Sequence, residues 1–112
     1  IKIKELFNKG SFFLIYPFKV ALLQVEKDID APVKILIATP KKKNKKATNR
    51  NLIKRLIRET YRKNKEDLYT FLEQKDYSLH LSVIYIEERI LSYQEIDKKM
   101  KKIIEKIIEK SA

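Results

Sequence analysis

Asn51-Leu52-Ile53-Lys54-Arg55-Leu56-Ile57-Arg58-Glu59-Thr60-Tyr61-Arg62 alternates apolar pairs with charge at intervals of three and four residues. That is the period of a helix, not of a strand. On a wheel of about 100° per residue, a helix running from Ala47 to Lys63 separates into two unlike halves. Leu52, Ile53, Leu56, Ile57, Thr60 and Tyr61 cover one half. Asn51, Lys54, Arg55, Arg58 and Arg62 gather within an arc of roughly 100° on the other, with Arg50 beside it. A helix that is apolar on one half must bury that half against another layer. The flanking sequence supplies strands for it.

Upstream, Val33 to Thr39 reads as a strand with Val33, Ile35 and Ile37 on one face, ended by Pro40. Phe18 to Val25 is an earlier strand, and Phe12 to Tyr16 an edge or irregular segment, because Pro17 cannot donate within a sheet. The polar stretch from Glu26 to Pro32 is expected to be a hairpin-like connection, with Asp28 and Asp30 as turn formers. Residues 1–9 carry Ile3, Leu6 and Phe7 at helical spacing before Gly10, which predicts a short first helix. Downstream, the basic helix is expected to end at about Lys63 and to continue after a break through Glu66 to Glu73. Leu79 to Ile86 is an apolar strand. Ser92 and Glu95 form a capping-box pair, and Ile96, Met100, Ile103, Ile104, Ile107 and Ile108 make the stripe of a last helix. At 112 residues the chain has room for one core, so 1–112 is read as a single α+β domain in the order αβββαβα, a central sheet packed by helices.

The formal net charge is +11, and its placement says more than its size. Between Lys41 and Lys65 stand twelve cations and one acid, Glu59; the remainder holds fourteen of each and is neutral. The cluster comprises Lys41, Lys42, Lys43, Lys45 and Lys46 before the helix, then Arg50, Lys54, Arg55, Arg58, Arg62, Lys63 and Lys65. Like charges one turn apart on a helix repel, and one glutamate offsets little of that. A polyanionic partner accounts for such a ridge more simply than solvent does. The type of cation agrees: four of the five arginines lie on this helix in a chain with 21 lysines. Guanidinium groups make bidentate phosphate contacts and stack on bases.

Other chemistries are poorly provided for. There is no cysteine, which excludes thiolate metal sites, cysteine nucleophiles and disulfides, and fits a reducing, intracellular setting. His80 is the only histidine and Gly10 the only glycine, so histidine metal pairs and glycine-rich phosphate loops are excluded. His80 sits between Leu79 and Leu81 and is read as structural on the opposite side of the sheet. No apolar run approaches the roughly 20 residues of a membrane span. No secretion signal is read, and the start at Ile1 predicts a short preceding piece. No catalytic or metal-binding residue is assigned.

The run from Arg50 to Arg62 resembles the signature helix of the bacterial ribonuclease P protein component, R-N-R-x-K-R-x-x-R-E-x-F/Y-R. Ala38-Thr39-Pro40-Lys41-Lys42 and Lys45-Lys46-Ala47 are similar to the strand end and basic loop that lead into that helix, and the order of elements matches over nearly the whole chain. Two positions depart. Leu52 replaces the second arginine of R-N-R, and Ala21 stands near a position often aromatic in the family.

The resemblance implies a protein subunit of a ribonucleoprotein endoribonuclease that matures the 5′ ends of tRNAs in the bacterial cytoplasm. The RNA subunit would perform the cleavage with Mg2+ that it mainly holds itself. The partners implied are ribonuclease P RNA and precursor tRNA, with no membrane. Lys41, Lys42, Lys43, Lys45, Lys46, Arg50, Asn51, Lys54, Arg55, Arg58 and Arg62 would contact the catalytic RNA. Phe7, Phe18 and Lys19 are the candidates for a cleft holding the single-stranded 5′ leader, where rings stack on bases and lysine meets phosphate. Core packing is the competing role for both phenylalanines. The family also implies a mixed sheet with a left-handed βαβ crossover, against the general rule. The rival readings are another basic RNA binder such as a small ribosomal protein, which would share the charge but not the ordered motif, and an unaided nuclease, for which no metal cluster is visible. A membrane-surface role would need the same apolar residues that the core requires.

Overall fold

The computed structural model describes residues 11–111. The expected first helix, Gly10 as its cap, and Phe7 lie outside the described residues. The described residues form four strands: β1 (Ser11–Ile15), β2 (Phe18–Glu26), β3 (Val33–Ala38) and β4 (Tyr77–Tyr85). Among the described residues three helices accompany them: α1 (Ala47–Asn64), α2 (Glu66–Glu73) and α3 (Tyr93–Ser111). The basic helix and its continuation are thus two elements that meet at Lys65.

The sheet order is β1-β2-β4-β3. β1 pairs with β2 and β2 with β4 antiparallel, whereas β3 runs parallel to β4, so the sheet is mixed. The segment after Glu26 is therefore not a hairpin connection. β2 and β3 run in opposite directions, but β4 is inserted between them. The physical reason lies in β4, where Ser78, Leu79, Leu81, Ser82, Val83 and Tyr85 are all buried. A strand covered on both faces belongs at the centre of a sheet. The connection itself is ordered by Asp28, whose Oδ1 accepts the N–H groups of Asp30 (3.0 Å) and Ala31 (3.2 Å). Its N–H donates to Ser78 Oγ at 2.8 Å. Asp28 is a turn former, as expected.

The three described helices contribute to one core on one side of the sheet. Ile53, Ile57 and Tyr61 of α1, Leu68 and Leu72 of α2, and Ile96, Met100, Ile103, Ile104 and Ile107 of α3 join Phe18, Val20, Leu22, Leu79, Leu81, Val83 and Tyr85 of the sheet. Full burial of one such side chain stabilises the fold by about 1.5–3 kcal/mol. Phe18 and Tyr85 meet edge to face, ring centroids 5.4 Å apart. The last helix begins as expected: the Glu95 N–H donates to Ser92 Oγ at 3.2 Å, and the Ser92 hydroxyl faces Glu95 Oε1 at 3.3 Å. Where α1 ends, Asp97 of α3 accepts Asn64 Nδ2 (2.7 Å) and Lys63 Nζ (3.2 Å), and pairs with Lys101 at 3.5 Å. The Asn64 amide bond, followed by the neighbouring lysines, holds the Asp97 carboxyl below its ordinary range.

Candidate nucleic-acid interface

The rotation of α1 about its axis is set by its buried residues, Ile53, Ile57, Thr60 and Tyr61. Thr60 is satisfied within the helix, its hydroxyl donating to the carbonyls of Leu56 (2.9 Å) and Ile57 (3.0 Å). With that half fixed, Asn51, Arg55, Arg58 and Arg62 are exposed, and Lys54 and Arg50 are half-buried. The ridge expected from the wheel therefore exists as one surface. Leu52 is half-buried at its margin, which is why leucine is tolerated there.

Among the described residues little negative charge answers this ridge. Arg55 and Glu59 stand 3.9 Å apart with both side chains well exposed, a geometry that contributes a few tenths of a kcal/mol at most, about the value of exposed helix pairs. Lys63 is drawn to Asp97 at the helix end. Lys65 Nζ lies 5.1 Å from the Tyr69 ring centroid. Among the described residues, Lys54, Arg58 and Arg62 make no ion pair. Arg58 and Arg62 overhang a groove of about 390 Å³ between α1 and β3, floored by Ile35, Ile37 and Tyr61. Burial pushes the Tyr61 hydroxyl well above the ordinary phenol pKa, so it stays neutral there.

The lysine loop is a compact turn rather than a loose tether. The N–H groups of Lys43 and Asn44 both donate to the Pro40 carbonyl, at 3.1 and 3.2 Å. Lys41, Lys42, Lys43, Lys45 and Lys46 all point outward, while Asn44 is buried. Arg50 has a double role that sequence reasoning missed: its Nη1 donates to the carbonyls of Asn44 (2.9 Å) and Lys45 (2.8 Å). The loop is thereby tied to the first turn of α1. That turn has no acidic residue and no side-chain cap, so its N–H groups add positive potential beside the lysines. Asn44 was missed too, although it is the one uncharged residue in the Lys41–Lys46 run.

The face of the sheet turned away from the helices carries a second surface. Leu14 pairs with Lys19 and Phe12 with Ala21, so these four share that face, and with Ile84 they line an apolar groove of about 320 Å³. Lys19 is exposed there, as expected. Phe18 is not; it is 0% exposed and packs in the core against Tyr85. Adjacent strand residues point to opposite faces, so Phe18 and Lys19 could not both have lined one cleft. The aromatic residue beside Lys19 is Phe12, 48% exposed. Ala21 is buried beneath this groove. His80 pairs with Leu23 and Lys34 on the face away from Leu79 and Leu81, as read from its alternation.

Among the described residues no group of three or more His, Cys, Asp or Glu side chains is placed to hold a metal ion. Among those residues no helix is long and apolar enough to cross a membrane.

Comparison with known proteins agrees with this arrangement. The family model described as Ribonuclease P matches residues 2–108. The ribonuclease P protein component of Porphyromonas gingivalis is 26% identical over 106 residues, covering 95% of this chain and 77% of that protein. The fold is similar to the RNase P protein of Thermotoga maritima, with a TM-score of 0.72, 22% identity, and 94% and 90% of the two chains covered. It is also similar to the RNase P protein of Staphylococcus aureus, with a TM-score of 0.64, 20% identity, and 94% and 86% covered.

Proposed function

This chain belongs to the ribonuclease P protein family, and on that basis we propose how its two surfaces divide the work. The family supplies the protein component of a ribonucleoprotein tRNA-processing enzyme and works with ribonuclease P RNA. The α1 ridge and the lysine loop contact that RNA. The sheet face bearing Lys19, Phe12 and Leu14 receives the single-stranded 5′ leader of precursor tRNA. Chemistry belongs to the RNA and the Mg2+ it holds; the protein contributes charge, orientation and a stacking surface. A bacterial setting agrees with the relatives' sources, and we place the protein in the cytoplasm, where its proposed RNA partners would be.

One observation carries this reading: a signature helix whose buried half fixes the exposure of Asn51, Arg55, Arg58 and Arg62, with little acid to answer them. Affinity from such a surface comes largely from counterion release and falls steeply with salt. The leader face works differently. Its groove is apolar with one lysine at hand, which suits unpaired bases whose phosphates pass Lys19 and does not depend on base identity.

The test is reconstitution of a bacterial ribonuclease P RNA with precursor tRNA at low magnesium, with and without this protein. Accurate 5′ cleavage restored only when RNA and protein are both present is the expected result. Tight binding to structured RNA without restored cleavage would favour a ribosomal-type binder, and cleavage by the protein alone would overturn the division of labour.

A further inference from the structure

Five lysines within six residues should repel one another and spread into a disordered tether. The loop does not, and Asn44 is where it is held. Asn44 is 4% exposed, and it is bonded in three directions. Its Nδ2 donates to the Glu87 carbonyl at 2.9 Å, its N–H donates to the Pro40 carbonyl at 3.2 Å, and its own carbonyl accepts Arg50 Nη1 at 2.9 Å. Glu87 belongs to the segment after β4, and its carboxylate accepts the Tyr16 hydroxyl from the turn between β1 and β2. Beside it the Ile86 N–H donates to the Pro17 carbonyl at 2.8 Å. One short chain of bonds therefore joins the lysine loop and α1 to the Tyr16–Pro17 turn, which leads into β2 and Lys19.

We propose that Asn44 is a positioning residue for nucleic-acid binding, locking the lysine loop in line with the α1 ridge and tying both to the β1–β2 turn beside the leader face. Arg50 is the strut of this device as well as a cation of the ridge. A loop held in its binding geometry loses less conformational freedom when phosphates arrive, so affinity rises without an added charge. The inference rests on the RNA-binding reading of the ridge.

The distinguishing variant is Asn44→Val, which keeps a small buried side chain and the net charge but cannot donate to Glu87. Titrated against a bacterial ribonuclease P RNA transcript, it should bind about three- to tenfold more weakly, the value of one buried hydrogen bond. The slope of log affinity against log salt should not change, because every phosphate-pairing cation is kept. The Lys42→Ala/Lys43→Ala pair should cost less in the Asn44→Val background than in the wild type, a coupling that mere loss of stability would not produce. Hydrogen exchange on the free wild-type protein supplies a check that needs no variant: the Lys43 and Asn44 amides should be protected. Equal affinity for Asn44→Val with additive lysine losses, or fast exchange at both amides, would overturn the proposal alone. Failure of the wild type to bind in the same titration would sink the RNA-binding reading itself.

Discussion

Helices α1 and α3 make an informative pair because they carry the same number of cations and differ in almost everything else about them. Each has six, but α1 holds one acid and α3 holds four. Four of the six on α1 are arginines; all six on α3 are lysines. On α3, Lys101 pairs with Asp97 at 3.5 Å and Lys106 with Glu109 at 3.7 Å, whereas within α1 the one ion pair is exposed and spans 3.9 Å. Both bury an aliphatic stripe in the same core. On the RNA-binding reading of α1, the difference teaches that a surface for polyanions is marked by uncompensated guanidinium groups on a fixed face, not by the count of positive residues.

The largest expected effect tests what the two helices share. Ile57→Ala and Ile103→Ala each remove a fully buried side chain, and each should lower unfolding free energy by about 2–5 kcal/mol in denaturant melts. A loss confined to one helix would break the claim that they serve one core equally.

The next effect separates them. Arg55→Ala/Arg58→Ala alters exposed residues, so melting should change little, yet protein-stimulated cleavage at low magnesium should need roughly a hundredfold more protein, about tenfold for each charge-assisted hydrogen bond to phosphate that the pair removes. Lys98→Ala/Lys102→Ala, the matched change on exposed sites of α3, should shift it less than about twofold. Equal losses would reduce the ridge to general charge.

A smaller effect concerns the junction where the helices meet. Removing the acceptor by Asp97→Ala leaves Asn64 and Lys63 without their shared partner and should cost about 1–3 kcal/mol at pH 7. Because the folded-state pKa is depressed, that stability is fully present above the unfolded carboxylate value of about 3.9 and is lost as pH falls below it through the folded value. The gap between wild type and variant, followed by acid melts, should hold from pH 7 to about 5 and close below about 4. A gap independent of pH would assign the role to packing. The smallest effect is a gain: Leu52→Arg adds a cation at the ridge margin and should steepen the salt slope of RNA binding by about one unit. No change would place position 52 outside the RNA footprint.

Much of this was legible in the chain. The halves of α1, the stripe of α3 and its Ser92–Glu95 start follow from local periodicity and capping, which need no knowledge of distant residues. The insertion of β4 between β2 and β3 was not legible, because strand pairing is decided by which strand is covered on both faces, a property of the assembled layers. Phe18 was open to two readings from composition, and its neighbour decides: with Lys19 facing out, Phe18 must face in. Asn44 was hidden for another reason. Its partner, the Glu87 carbonyl, lies 43 residues away and is a backbone atom that no side-chain pattern announces.

If α1, and not charge in general, holds the RNA, the two helices must differ in how salt acts on binding. The decisive experiment is the affinity for ribonuclease P RNA across a salt series for the wild type, Arg55→Ala/Arg58→Ala and Lys98→Ala/Lys102→Ala. The slope of log affinity against log salt should be shallower by about two units for the α1 pair and unchanged for the α3 pair. Identical slopes for the two variants would contradict a dedicated role for α1.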